Sequence, residues 1–331
     1  MLRVGIVGAG FMGALHAAGW AETPATLGGV YSLDPEMVQA ILNRHGGHAY
    51  ASVEALIDDV DVVDICAPTH VQYALAIKAA AAGKHVVCEK PLARTIAQAE
   101  EMIATCEQAG VKLLVGHVVR YFPQYAQAKT LVERGEIGDV AVVRLTRASF
   151  KPKRAVDNWF MDTEKAGGMV LDLMLHDFDY ARWIAGEVES VFAKNVSSQR
   201  PKAPGDYALA ILRHTSGAIS NLESAWAYPP PLFRTSLQIA GSRGLIDHPV
   251  DSAIPLHVTL MQEDGETPDI AVPSSPLLEQ PYTTQLKEFY DALVNDATPR
   301  VTAQDGLMAL RLAFAAIRSA ETGQPVSPQE V

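Results

Sequence analysis

A glycine-rich turn near the N-terminus narrows the possible folds of this chain more than any other stretch. Gly8-Ala9-Gly10-Phe11-Met12-Gly13 fits G-x-G-x-x-G, directly after the β-branched run Val4-Gly5-Ile6-Val7 and at the head of the Ala-rich stretch Met12–Trp20. A bare glycine pattern says little. A strand before it and a helix after it give the context of a phosphate-binding turn. Gly8 permits the tight reversal, and Gly10 lets backbone N–H groups, those of Phe11 and Met12 included, close on a pyrophosphate at the helix N-terminus. Gly13 allows the helix to pack on the strand.

The rest of the first 120 residues repeats this alternation. Val60–Ile65, His85–Cys88 and Val111–Val115 read as strands, while Pro35–Arg44, Val71–Ala82 and Thr95–Ala109 read as helices. Asp34 before Pro35 is an expected N-cap, and Thr95 with Gln98 an expected capping box. Strands alternating with helices predict βαβ units, a parallel sheet and right-handed crossovers. After about residue 122 the pattern changes. Val140–Ser149, Val188–Asn195, Tyr207–His214, Ala218–Ala227 and Thr235–Ala240 are strand-like and separated by Gly and Pro turns. Gln124–Arg134, Gly168–Ile184, Leu286–Leu293 and Asp305–Ala320 are helix-like. The fold class expected is α/β: a doubly wound domain followed by an α+β domain with a large, mostly antiparallel, open-faced sheet. A length of 331 residues suits two domains.

Composition excludes several classes. Hydrophobic residues at 48% and charged residues at 20% rule out wholesale disorder. With 27 basic and 38 acidic residues the chain carries a formal charge of −11, which disfavours nucleic-acid binding. Val4–Ala21 mimics a signal peptide, but five glycines in 18 residues favour a strand and turn over an apolar helix, so neither export nor a membrane span is expected. Cys66, Cys88 and Cys106 are an odd number at wide spacing with no zinc pattern, which points to a reducing cytoplasm and no metal.

The residue expected to read the adenosine ribose falls at the end of the second strand, on Ser32. A carboxylate there would favour NAD and a following Arg would favour NADP. Ser32 is neither, Leu33 follows it, and Asp34 is explained as the N-cap, so the choice between NAD and NADP stays open.

Two further constellations carry chemistry. Cys88-Glu89-Lys90-Pro91 ends a parallel strand, where open α/β sheets bind ligands, and an ammonium at Lys90 suits polarising a substrate oxygen. Asp172 and His176 are four apart in an expected helix and share a face, with Asp179 continuing that side. An imidazole near neutrality suits taking the proton from an alcohol, and a carboxylate beside it orients it, stabilises its charge or binds a neighbouring hydroxyl. Spacing alone is equally consistent with a helix-stabilising pair.

The turn Gly8–Gly13, the loop Ala67-Pro68-Thr69-His70, Glu89-Lys90-Pro91, Arg120-Tyr121-Phe122-Pro123, Gly167–Asp172 with His176, and the stretch Ala303–Val326 occur in that order. Together they resemble the glucose–fructose oxidoreductase / inositol dehydrogenase family, over nearly the whole chain. The resemblance implies a Rossmann domain over residues 1–121 and a substrate-binding and oligomerisation domain over 122–331. It implies NAD(P)-dependent hydride transfer with a ring hydroxyl of a sugar, sugar derivative or cyclitol. Lys90, Asp172 and His176 match the catalytic residues. Ala67, Pro68, Thr69, Glu89 and Lys90 join Gly8, Gly10, Phe11, Met12, Gly13 and Ser32 on the cofactor. Asp157-Asn158-Trp159 is polar and aromatic, as sugar sites often are, so Asn158 and Trp159, with His117, are expected to join the catalytic three as substrate contacts, and a surface turn reads equally well. The chain departs from the pattern at Thr69 and Gln72, where Asn and His are usual, and at Met174, where glycine is frequent. Alternatives are transient oxidation by a bound cofactor that drives elimination, epimerisation or glycoside cleavage, and a non-enzymatic cofactor-binding regulator. A homodimer or homotetramer is expected, because helices on one side of a sheet leave the other face to a partner.

Overall fold

The computed structural model describes residues 1–152, 159, 162–196, 206–248 and 279–331. It divides into two compact units. One comprises Met1–Phe122 with Ser275–Leu307, the other Pro123–Ser274 with Met308–Val331.

The first unit is built on six strands: β1 Arg3–Val7, β2 Thr26–Tyr31, β3 His48–Ala49, β4 Val62–Ile65, β5 His85–Glu89 and β6 Leu113–Gly116. Their order is β3-β2-β1-β4-β5-β6, and every neighbouring pair is parallel. This is the doubly wound arrangement with its switch point beside β1. Val4 and Ile6 are fully buried, so the run that mimics an export signal is the central strand of the sheet. Helices α1 Phe11–Ala21, α2 Pro35–His45, α3 Val53–Asp59, α4 Thr69–Ala81 and α5 Ile96–Gln108 make the crossovers. Asp34 accepts from the N–H groups of Glu36 and Met37, and Thr95 from that of Gln98, so both expected caps are made. The short α3, capped by Ser52 on the Ala55 N–H, and the two-residue β3 fall outside the sequence reading. Helix α9, Pro281–Val294, belongs to this unit. Its Leu286, Phe289 and Ala292 share a core with Val4, Ile6, Trp20, Val30, Val62, Val87 and Leu114.

The second unit carries β7 Val140–Ser149, β8 Val188–Val196, β9 Asp206–His214, β10 Ile219–Trp226, β11 Phe233–Gly241 and β12 Leu245–His248. Their order is β12-β11-β7-β10-β9-β8. Only the β7–β10 pair is parallel, so the sheet is largely antiparallel. Strand β9 alternates cleanly: Ala208, Ala210 and Leu212 are buried, whereas Leu209, Ile211 and Arg213 are exposed. Residues directly opposite one another share a face, so Ile219, paired with Arg213, lies on that exposed side too. Helix α8, Leu175–Ala185, packs on β7 and β10. Helix α6 is Pro123–Glu133, α7 is the short Thr163–Ala166, and α10, Ala303–Thr322, begins in the first unit and ends in the second.

Among the described residues, no helix is long and apolar enough to cross a membrane.

Candidate active site

In the first unit the expected cofactor residues gather at the carboxyl edge of the sheet. Gly8 has φ +107° and donates its N–H to the Tyr31 carbonyl at 2.8 Å, which ties the turn to the end of β2 beside Ser32. A Cβ on Gly8 would lie 2.6 Å from the Cys66 carbonyl oxygen, so the turn is pressed against the chain leaving β4. A Cβ on Gly13 would lie 1.9 Å from the Gly8 oxygen, which only glycine permits. Around Gly10 nothing lies within 4 Å of a Cβ, and no side chain caps the helix it opens. The turn is thus closed on the protein side and open at the N–H groups of α1, which is what a bound diphosphate requires.

Beyond β4, Ala67 and Pro68 lead into α4, whose first residue is Thr69, largely buried. Gln72 donates to the Ala67 carbonyl at 3.3 Å, while its Oε1 is buried and has no hydrogen-bond partner among the described residues. An orphaned acceptor beside this loop is suited to a ligand donor, and with the open turn it indicates that these residues fit a dinucleotide. Asp34 is spent on capping α2, leaving the Ser32 hydroxyl and the exposed Leu33 at the end of β2.

Glu89 ends β5, buried, and Lys90 follows it, half-buried. His117 follows β6 and is fully buried. Arg120 is also buried and makes an ion pair with Asp305 at 3.2 Å, while donating to the Arg300 carbonyl at 2.8 Å. Beneath the Glu89–Lys90 segment lies a cluster that sequence reading missed. His16 of α1 contacts Asp64 of β4 at 2.8 Å and Glu89 at 3.1 Å. The available signal was Asp64 itself, a charge inside the apolar run Val62-Val63-Asp64-Ile65, which demands a buried partner. His16, Asp64 and Cys66 form a trio of ligand-type groups whose atoms lie within 4.8 Å of one another. Their donor and acceptor atoms are engaged with each other, and burial pushes the Cys66 thiol up to about 12, which makes it a poor thiolate ligand.

In the second unit the stretch read as one regular helix is not regular. Val170–Met174 forms a wider π-helical turn that runs into α8. Such turns occur often at functional sites. Asp172 lies in the π turn and His176 in the first turn of α8. From Met169 to Ala181 these two are the only residues that are not buried. Asp179, expected to continue their side, is buried and leaves that stripe. Met174 is buried as well.

The helix beneath the pair is fixed by a buried ion pair. Arg147 of β7 and Ser224 of β10 are register partners in the parallel pair, and both reach Asp177. Arg147 binds both carboxylate oxygens at 2.9–3.1 Å, and the Ser224 hydroxyl lies at 3.5 Å. Burial pushes the Asp177 carboxyl up from its ordinary range in spite of Arg147. Trp159 is half-buried, and Asn158, the other expected substrate contact, lies outside the described residues.

Comparison with known proteins agrees with this geometry. Residues 2–117 match the family model described as "Oxidoreductase family, NAD-binding Rossmann fold", and residues 129–327 match its C-terminal alpha/beta domain. The chain is 32% identical to myo-inositol 2-dehydrogenase of Thermotoga maritima, covering 100% of this chain and 99% of that one. It is 29% identical to 1,5-anhydro-D-fructose reductase of Ensifer adhaerens, over 98% of each. The solved structure of GenD2 from gentamicin A biosynthesis, in complex with NAD, superposes with a TM-score of 0.84 at 25% identity, covering 98% of this chain and 96% of that one. With its dinucleotide turn, its two matched domains and full-length relatives of this kind, the chain belongs to the glucose–fructose oxidoreductase / inositol dehydrogenase family of NAD-dependent oxidoreductases acting on CH–OH groups.

Proposed function

We propose that this protein oxidises a ring hydroxyl of a sugar, sugar derivative or cyclitol. The observation that carries the reading is the helix over 169–181, buried throughout except for one carboxylate, Asp172, and one imidazole, His176. A nicotinamide cofactor held by the Gly8–Gly13 turn would supply the acceptor for the hydride of the carbinol carbon. His176 accepts the hydroxyl proton as general base, and Asp172 orients the imidazole. Lys90 donates a hydrogen bond to the same oxygen and stabilises the negative charge that develops on it. Thr69 and Gln72 hold the cofactor at the end of β4, with the Gln72 oxygen accepting from it. Ser32 binds the adenosine ribose, and His117, Asn158 and Trp159 contact the substrate. NAD is favoured over NADP, because Ser32, Leu33 and Asp34 offer a 2′-phosphate no cation and one negative charge.

The exposed face of the second sheet seats a second copy of the chain. Leu209, Ile211 and Ile219 are each close to half exposed there, and light scattering at micromolar concentration is expected to give a dimer or tetramer. A cytoplasmic location accords with three unpaired cysteines.

The test is a spectrophotometric panel of sugars, sugar acids and cyclitols, run with NAD and NADP separately. On an active substrate, Lys90→Met and His176→Ala are expected to retain cofactor affinity and lose turnover by roughly 100-fold or more. Full turnover in either variant removes that residue from the mechanism. Product formed without equivalent reduced cofactor would instead indicate transient oxidation.

A further inference from the structure

Three buried polar side chains lie beneath Lys90 and take no part in the mechanism above. His16 and Asp64 are 0% exposed and Glu89 5%. His16 Nδ1 lies 3.0 and 2.8 Å from the two Asp64 oxygens, and His16 Nε2 lies 3.1 Å from Glu89 Oε1. Asp64 also accepts from the Trp20 indole N–H at 2.7 Å, and the Cys66 thiol lies 3.6 Å from it. Glu89 Oε2 in turn accepts from the Lys90 backbone N–H at 3.3 Å. Opposite this carboxylate β6 has no side chain: a Cβ on Gly116 would meet Glu89 Oε1 at 2.5 Å. The chain of contacts therefore runs from α1 and β4, through His16, to a carboxylate that accepts from the Lys90 backbone N–H.

With the His16 ring protonated, Asp64 accepts from its Nδ1–H and Glu89 from its Nε2–H. Burial opposes that charge, but the adjacent Asp64 carboxylate overrides it, and His16 is held protonated well above the ordinary histidine range. The groups facing the imidazolium are Asp64 and Cys66 from β4 and its end, and Glu89 from β5. The neutral Cys66 thiol adds no charge.

We propose that His16 is a positioning residue for Lys90: anchored by Asp64, it holds the Glu89 carboxylate in the orientation that binds the Lys90 N–H, and so fixes where the Lys90 ammonium is presented. The kinetic consequence rests on the role given to Lys90 above; the structural one does not. Without His16, the Glu89 carboxylate loses the one side-chain donor it has among the described residues and turns, and the Lys90 segment turns with it. A displacement of about 1 Å at a reacting group lowers turnover by up to roughly 100-fold.

Two variants approach Glu89 from opposite sides. His16→Asn keeps a donor toward Asp64 but is too short to reach Glu89. Gly116→Ala pushes on Glu89 from β6 and leaves the His16 side chain in place. The first readout uses unliganded protein with 13Cε-labelled lysine, the Lys90 resonance being assigned by its loss in Lys90→Met. Both variants are expected to shift the Lys90 13Cε resonance away from its wild-type position. Both are expected to lower kcat by roughly 10–100-fold, with cofactor affinity within about threefold of wild type, and the double variant is expected to be no worse than the poorer single one. Folded variants with an unchanged Lys90 resonance overturn the proposal. If His16→Asn fails to fold, Gly116→Ala decides alone. If Lys90→Met retains turnover, the catalytic reading of Lys90 falls, while the Lys90 resonance in the two variants still decides the role of His16.

Discussion

Replacing Arg147 by Met removes every guanidinium contact from Asp177 and leaves a fully buried carboxylate with the Ser224 hydroxyl at 3.5 Å. A carboxylate stranded in this way costs about 3–5 kcal/mol. Protonation limits the penalty. Keeping a carboxyl of ordinary pKa near 3.9 protonated at pH 7 costs about 4 kcal/mol, and at pH 5 about 1.5 kcal/mol. The sign follows from the protons bound. The folded variant holds a proton on Asp177 that the unfolded chain has released, so its stability rises as pH falls from 7 toward 4. Urea denaturation followed by far-UV circular dichroism is expected to show a deficit of about 3–4 kcal/mol at pH 7 that shrinks by about 1.4 kcal/mol per pH unit. The pair Arg147→Met with Asp177→Leu is expected to recover most of the loss, because it leaves no buried charge. Because Asp177 adjoins His176, the single variant is also expected to lower kcat. A deficit equal at pH 5 and pH 7, or a double variant as unstable as the single one, would refute the reasoning.

Other outcomes follow from the same coordinates. Gly10→Ala meets nothing within 4 Å, so its thermal stability without cofactor should match wild type while dinucleotide binding, measured by calorimetry, weakens by roughly tenfold or more. Gly13→Ala places a methyl 1.9 Å from the Gly8 oxygen, so it should lower the unfolding temperature as well as abolish binding. Burial opposes ionisation of Asp305, but Arg120 and the Thr302 N–H bring its carboxyl down to about 2. Its depressed pKa stabilises the fold above about pH 4, and this contribution is lost as pH falls through about 2. Asp305→Asn should therefore cost about 2 kcal/mol at neutral pH, with the difference from wild type vanishing in acid unfolding curves near pH 2.

The sequence disclosed those parts of the molecule that rest on local chemistry. The glycine turn, the caps at Asp34 and Thr95 and the strands from β7 to β11 each carry their signal within a few residues. Helix α3 escaped because its seven residues hold too little periodicity to separate from a loop, though Ser52 marks its start. The π turn escaped because Gly168–Ile184 has ordinary helical spacing, and the extra residue it accommodates is set by packing against the sheet. Arg120 pairs with a residue 185 positions away, and His16 with residues 48 and 73 away, so no window of sequence joins them. Asp172 and His176 were legible as a pair by spacing; that they alone between Met169 and Ala181 escape burial required the fold.

The placement of α9 has a consequence for biosynthesis. Leu286, Phe289 and Ala292 complete the core that begins with Val4, Ile6 and Trp20, and Leu286 packs closely on α1 at Gly19. The five crossovers and six strands have all emerged by residue 116, yet the seam along α1 is closed only when α9 follows. At roughly 5–20 residues per second, the nascent chain carries that oily seam open for on the order of 10–30 s. A fragment ending at residue 122 would carry it permanently, so the dinucleotide-binding half is the first part made and one of the last to be sealed.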